Sequence, residues 1–212
     1  MSNTTYPNLF SPIDLAGRCL RNRICLSATV TNFAQENRIT ERWKHFLIER
    51  ARGGAAMLVT EVIAVDPNAN AQSAIVTGFD DANVTGLTDT ATRVHVEGAW
   101  LVGQLWHPGK QQLWGPTRSP MGVSDQPDAL SWTVPHVMSQ DEIGSVVQAY
   151  VDTASRLADC GFAGVELHGA HGYLIQQFMS PWSNWRMDRY GGSLEGRLTF
   201  VREVATGIRN RC

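Results

Sequence analysis

One helical stripe caught between two short apolar runs limits the fold of this chain more than any other feature. L-V-G-Q-L-W, residues 101–106, and G-V-E-L-H, residues 164–168, both read as strands. Between them Ile143, Val146, Val147, Tyr150, Val151, Ala154, Leu157 and Ala158 recur at helical spacing. Ser139 with Glu142 forms a capping box before the stripe, and Gly161 closes it. Strand, helix, strand at this length means parallel strands joined by a right-handed crossover.

The same rhythm runs through the rest of the 212 residues. I-C-L-S-A, residues 24–28, is a first strand; Thr40 caps a helix carrying Trp43, Phe46, Leu47 and Ala51 that Gly53-Gly54 stops. A-M-L-V-T-E, residues 56–61, is a second strand, followed by a helix over residues 88–96. Leu198, Val201, Ala205 and Ile208 mark a last helix, started near Ser193. The Gly- and Pro-rich segment 107–137 is too long for a connector and is expected to be functional. A doubly wound sheet and an eight-stranded βα barrel both accommodate this order. No G-x-G-x-x-G follows the first strand, which counts against a dinucleotide-binding sheet. Four strands are half a barrel, and a whole one takes about 250 residues. The expectation is therefore α/β, the first four βα units of a (β/α)8 TIM barrel, ending before a fifth strand.

Composition excludes several classes of partner. A net charge of −2 gives no electrostatic case for nucleic acid or an anionic membrane surface. No apolar run approaches the roughly 18 residues of a membrane span. The N-terminal residues lack the basic and apolar regions of a signal peptide. Cys19, Cys25, Cys160 and Cys212 are scattered, so a disulfide framework or Cys-based zinc site is not expected, and a reduced, cytoplasmic setting is.

The chemistry concentrates in E-L-H-G-A-H-G-Y, residues 166–173. Strand alternation puts Val165 and Leu167 on one face and Glu166 and His168 on the other, the inner face in a barrel. Gly169 and Gly172 let the turn fold tightly, which brings His171 beside His168 with Tyr173 near both. Two imidazole donors aimed at one oxygen make an oxyanion-type site. A phenol beside them is a competent acid only where a strongly basic carbanion or enolate develops. Reduction of a carbon–carbon double bond conjugated to a carbonyl would use that set. Two other readings stay open on these residues. H-x-x-H with Glu166 could ligate a metal, although its apolar and glycine neighbours disfavour one, and the histidines could simply cap loop carbonyls.

The surrounding text narrows the choice. H-G-A-H-G-Y-L-I-Q-Q-F-M-S-P-W-S-N-W-R-M-D-R-Y-G-G-S-L-E-G-R, residues 168–197, closely resembles the signature of the old yellow enzyme family, FMN-dependent ene-reductases on a βα barrel. So do L-F-S-P-I-D-L-A-G-R-C-L-R-N-R-I, R-A-R-G-G-A-A-M-L-V-T-E and G-Q-L-W-H-P-G-K, and the resemblance runs from about Leu9 to Cys212. It implies FMN as cofactor, NADPH or NADH as hydride donor, and a small enone or enal as substrate. It implies that His168 and His171 bind the substrate carbonyl and that Tyr173 protonates the alpha carbon. Ser27, Ala28, Thr29, Val62 and Gln104 would contact the flavin, Gln104 at the pyrimidine edge, where an amide offers both donor and acceptor. Gln104 could equally be a satisfied core amide, and Trp106 is read as packing near the site. Arg186 and Asp188 are read as a brace for their loop.

Two departures from the family pattern stand out. Val30 occupies the register where a hydrogen-bonding Cys or Thr is usual, which implies an altered flavin potential. E-G-R at residues 195–197 replaces E-N-R and loses an amide expected to brace the loop. The loops after the seventh and eighth strands, where βα barrels commonly hold phosphate, are not in this sequence. Two expectations follow: an ene-reductase completed by a missing C-terminal half or by a homo-oligomer, or a non-catalytic fragment or interaction module that cannot hold FMN alone.

Overall fold

The computed structural model describes residues 5–112 and 119–212. The remaining part of the 107–137 segment, 113–118, and the first four residues, on which part of the signal-peptide reading rests, lie outside the described residues.

The chain opens with an antiparallel hairpin, β1 (Ile13–Leu15) and β2 (Arg18–Leu20). Four parallel strands follow in the order β3 (Cys25–Leu26), β4 (Met57–Ala64), β6 (Trp100–Trp106) and β9 (Gly164–Leu167), with the short β5 (Val76–Thr77) pairing to the end of β4. The crossovers are α1 (Glu41–Arg52), α2 (Val84–Val96) and α3 (Gln140–Asp159), and two further short strands, β7 (Met121–Gly122) and β8 (His136–Val137), pair within the long loop. After β9 come α4 (Leu174–Met179), α5 (Leu194–Arg197) and α6 (Thr199–Arg211). This is the α/β architecture of a partial barrel, with helices on one face of a parallel sheet.

The boundaries that shifted have physical causes. The first strand pairs over two residues rather than five, because residues 27–30 leave the ladder as an extended segment. The second strand runs three residues past Glu61, although a carboxylate interrupts its apolar run. A bulge makes this possible: Val59 pairs with Val102 but Val62 with Gln104, so β4 carries one extra residue there. The bulge turns Glu61 out of the ladder, and its carboxylate accepts N–H groups from Thr31 (2.6 Å) and Asn32 (3.2 Å) and the Thr31 hydroxyl (2.9 Å). The Gln104 N–H freed by the bulge donates instead to the Thr60 hydroxyl at 3.2 Å.

The core lies between the sheet and its helices. Leu58 and Ile63 of β4, Leu101 and Leu105 of β6, Leu87 of α2, and Ile143, Tyr150 and Leu157 of α3 are essentially inaccessible. On β9, Val165 and Leu167 pack against this core while Gly164 and Glu166 are exposed on the opposite, inner face. The L-R-N-R-I motif is a fastening: Arg21 donates to the carbonyls of Ala51, Ala55 and Glu97, and Asn22 to that of Gly54, tying together the C-terminal ends of α1 and α2. The final expected helix is two, α5 and α6, broken at Leu198.

Arg186 braces its loop as the sequence suggested, donating to the Val123 and Met138 carbonyls (3.2 and 2.7 Å) while paired with Asp188 at 2.6 Å. Gly196, however, is more than a missing amide. A Cβ there would stand 2.0 Å from the Gly191 carbonyl oxygen, so the chain fills the space a side chain would need. Gly196→Asn should therefore lower stability by about 1–3 kcal/mol through overpacking, read as a lower urea midpoint at unchanged slope; a neutral or raised midpoint would show that the loop opens freely.

Candidate active site

Across three parallel strands Val62 pairs with Gln104 and Gln104 with Glu166. That register aligns the C-terminal ends of β4, β6 and β9, where βα folds keep their chemistry. The loops leaving these ends enclose a cavity of about 540 Å³. Ala28, Val62, Gln104, Trp106, His168, His171 and Tyr173 all face it, along with Val30. Ser27 and Thr29 are exposed and their side chains are not on its wall, because Ala28 and Val30 take the cavity-facing alternation of the extended segment.

His168 follows β9 directly, its N–H donating to the Leu105 carbonyl at 3.1 Å. His171 sits in the left-handed region, φ 58°, and Gly172 follows with φ 75°. This double left-handed turn folds the chain back so that His171 Nδ1 lies 3.3 Å from His168 Nε2. The Ala170 N–H donates weakly, at 3.4 Å, to His168 Nδ1, which leaves the His168 proton on Nε2, facing His171. Tyr173 is the N-cap residue of α4. Its ring meets His168 edge-on at 5.0 Å between centroids and Trp106 at 5.3 Å.

The electrostatics follow from partial burial. His168 is held below the ordinary imidazole range, first by burial and then by His171, with Glu166 opposing. Burial raises the Tyr173 phenol, so it keeps its proton at neutral pH. Glu166, considered above as a metal ligand, instead accepts a 2.6 Å hydrogen bond from Gln104 Nε2. Among the described residues no three His, Cys, Asp or Glu side chains converge on one point. Gln104 retains its amide oxygen and one N–H for a ligand.

Next in sequence to Trp106, His107 is fully enclosed. Its Nδ1 accepts the Gly109 N–H at 3.0 Å, which places the proton on Nε2, 3.7 Å from Asp66 Oδ1. Burial lowers its pKa and Asp66 only partly offsets this.

The sequence reading missed the amides of the cavity wall. Asn32, Gln72 and Gln111 present neutral amides there, with Gln72 Nε2 donating to Asn32 Oδ1 at 3.3 Å. They lie in three separate loops, so no periodicity could have grouped them. No charged side chain lines the cavity among the described residues.

The family model for the NADH:flavin oxidoreductase / NADH oxidase family matches residues 8–212. The chain belongs to that family. It is 38% identical over 210 residues to an NADH oxidase of Thermoanaerobacter brockii, covering 97% of this chain and 32% of that protein. It is 34% identical to an NADPH dehydrogenase of Halalkalibacterium halodurans over 94% of this chain and 59% of the relative. Morphinone reductase in complex with tetrahydroNAD superposes with a TM-score of 0.90 at 25% identity, covering 97% of this chain and 61% of that one. The chain thus has the partial-barrel fold of the old yellow enzymes and spans about a third to three-fifths of these relatives. FMN with NADH or NADPH is the cofactor set of this family. Among the described residues no helix is long and apolar enough to cross a membrane.

The two depressed histidines give a pH prediction. In the unfolded chain each takes a proton near pH 6.5, whereas burial keeps both neutral to lower pH when folded. Their contribution is complete above about pH 6.5 and is lost as pH falls toward the folded values. Urea midpoints should drop between pH 7.5 and 5.5, and less steeply in His107→Gln; equal slopes would remove His107 from the account.

Proposed function

We propose that this chain is the N-terminal half of a single FMN-binding barrel, and that the complete protein is an NAD(P)H-dependent reductase of the C=C bond in α,β-unsaturated carbonyl compounds. The observation that carries this reading is the 3.3 Å approach of His168 Nε2 to His171 Nδ1 with the Tyr173 ring beside them. Two nitrogens that close can both stand about 2.9 Å from one oxygen. Without substrate they share a proton. With a carbonyl oxygen between them, both act as donors and draw electron density from the conjugated double bond.

Tyr173 holds the proton for the alpha carbon. Its raised pKa keeps it loaded, and among the described residues its hydroxyl has no hydrogen-bond partner to restrain it. FMN, when bound, supplies hydride to the beta carbon after reduction by NADH or NADPH. Ala28 and Val62 give the ring an apolar bed, Ser27 and Thr29 contribute main chain beside it, and Gln104 offers its free amide oxygen and N–H to the pyrimidine edge. The ring therefore fits the residues present. The phosphate does not find its counterpart among the described residues, since no cation among them lines the cavity. Those anchors, and partners for the outer edges of β3 and β9, are assigned to the remainder of the barrel.

Purified alone, the 212-residue chain should bind FMN weakly or not at all; stoichiometric flavin in a monomeric preparation would refute the half-barrel reading. In the complete protein, Tyr173→Phe should slow enone reduction by about 10²–10⁴ while flavin reduction by NAD(P)H proceeds unchanged. Equal turnover with Phe would dismiss Tyr173 as the acid, and no enone turnover in the parent would favour a non-catalytic module. Val30, exposed at the cavity edge, cannot hydrogen-bond a flavin carbonyl. Val30→Cys should shift the flavin midpoint potential, and identical potentials would defeat that assignment.

A further inference from the structure

The histidine turn adopts a backbone shape that its own residues do not favour. A side-chain-bearing residue is disfavoured in the left-handed region by crowding of its Cβ against the backbone, and His171 occupies it. Three glutamines hold the turn there. Gln176 Oε1 accepts the Gly172 N–H at 2.7 Å, and Gln177 Nε2 donates to the Gly172 carbonyl at 2.6 Å. Both lie on α4 and travel with the turn. The third restraint comes from another element: Gln111 Nε2 donates at 3.0 Å to the carbonyl of His171 itself.

Gln111 belongs to the loop after β6 and borders the cavity. Its amide lies so close to the turn that a Cβ on residue 172 would stand 2.2 Å from Nε2, so glycine there suits the clamp as well as the dihedral. The grip fixes the 171–172 peptide plane, and with it the direction of the His171 Cα–Cβ bond. Release would let residue 171 relax toward the right-handed region and swing the imidazole away from His168.

We propose that Gln111 is a positioning residue whose hydrogen bond to the His171 carbonyl keeps the two imidazoles turned toward one shared point. The proposal rests on the carbonyl-gripping reading of the pair, so the test needs a readout independent of turnover. Gln111→Met keeps the length and removes the donor; Gln111→Lys keeps a donor. In the complete protein carrying 15N-labelled histidine, ring nitrogen resonances are followed through a pH titration. Glu166 and Tyr173, the other titratable groups facing His168, are unchanged in both variants.

In the parent the His168 titration is lowered in part by the neighbouring His171 ring. The Met variant should lose that dependence, with the His168 midpoint rising toward the ordinary imidazole value, and the Lys variant should keep it. Enone KM should rise about tenfold in the Met variant, the worth of one hydrogen bond, with flavin reduction unaffected. A His168 midpoint unchanged in the Met variant would overturn the proposal whatever the activity. Lost dependence in a protein whose parent never turns over enones would uphold the positioning role and reject the enone reading instead. Should the Met variant fail to fold, Gln111→Leu is read against the same outcomes.

Discussion

The parallel register that sets Val62 beside Gln104 and Gln104 beside Glu166 governs everything above it. Side chains in a sheet alternate faces, so a slip of one residue would send Gln104 into the helical layer and bring Leu105 into the cavity. At the bulge in β4 the Thr60 hydroxyl accepts the Gln104 N–H, and the register resumes beyond it. It also aims Glu61 at the Thr31 and Asn32 amides, which ties the extended segment bearing Ala28 and Val30 to the second strand. One irregularity in one strand thus fixes two walls of the site.

A further wall depends on Asn37, itself in the left-handed region at φ 61°. Its amide donates to Asn70 Oδ1 and to the carbonyls of Gln72 and Ile75, while Asn83 Nδ2 takes the Asn37 carbonyl and that of Thr77. The excursion between β4 and α2 therefore has little freedom, although it contains almost no regular structure. Its Ala71, Gln72 and Ile75 face the histidine pair across the cavity. Such loops can present chemistry because their backbone polar groups are satisfied by buried amides rather than by ladders.

Legibility in the sequence followed periodicity. The helical stripe ending in Ala158, the Ser139 capping box and the alternation in G-V-E-L-H were readable because burial imposes repeats of 3.6 and 2. The 3.3 Å histidine approach was foreshadowed by the glycines that flank it. What escaped was non-periodic: the extension of β4 past Glu61, the shortness of β3, and the amide rim of Asn32, Gln72 and Gln111. Each depends on a partner more than 25 residues away in sequence, as with Glu61 and Thr31 or Gln111 and His171. Spacing along one segment carries no trace of such pairs.

The inner face of the sheet shows how the polar groups of the site are held. Val165 and Leu167 are covered by α3, whereas Glu166 and Gly164 on the other side remain exposed, as is Cys25 on the first strand. In a closed barrel that face is filled by layers of side chains from all strands. Gln104 Nε2 donates to Glu166 across the open layer at 2.6 Å, so the polar groups nearest the cavity are already oriented. A ligand in that position would meet fixed dipoles, which cost no reorganisation at the moment of reaction. Among the described residues the cavity wall carries oriented dipoles and no charged side chain, so it is suited to a neutral polar group rather than to an anion.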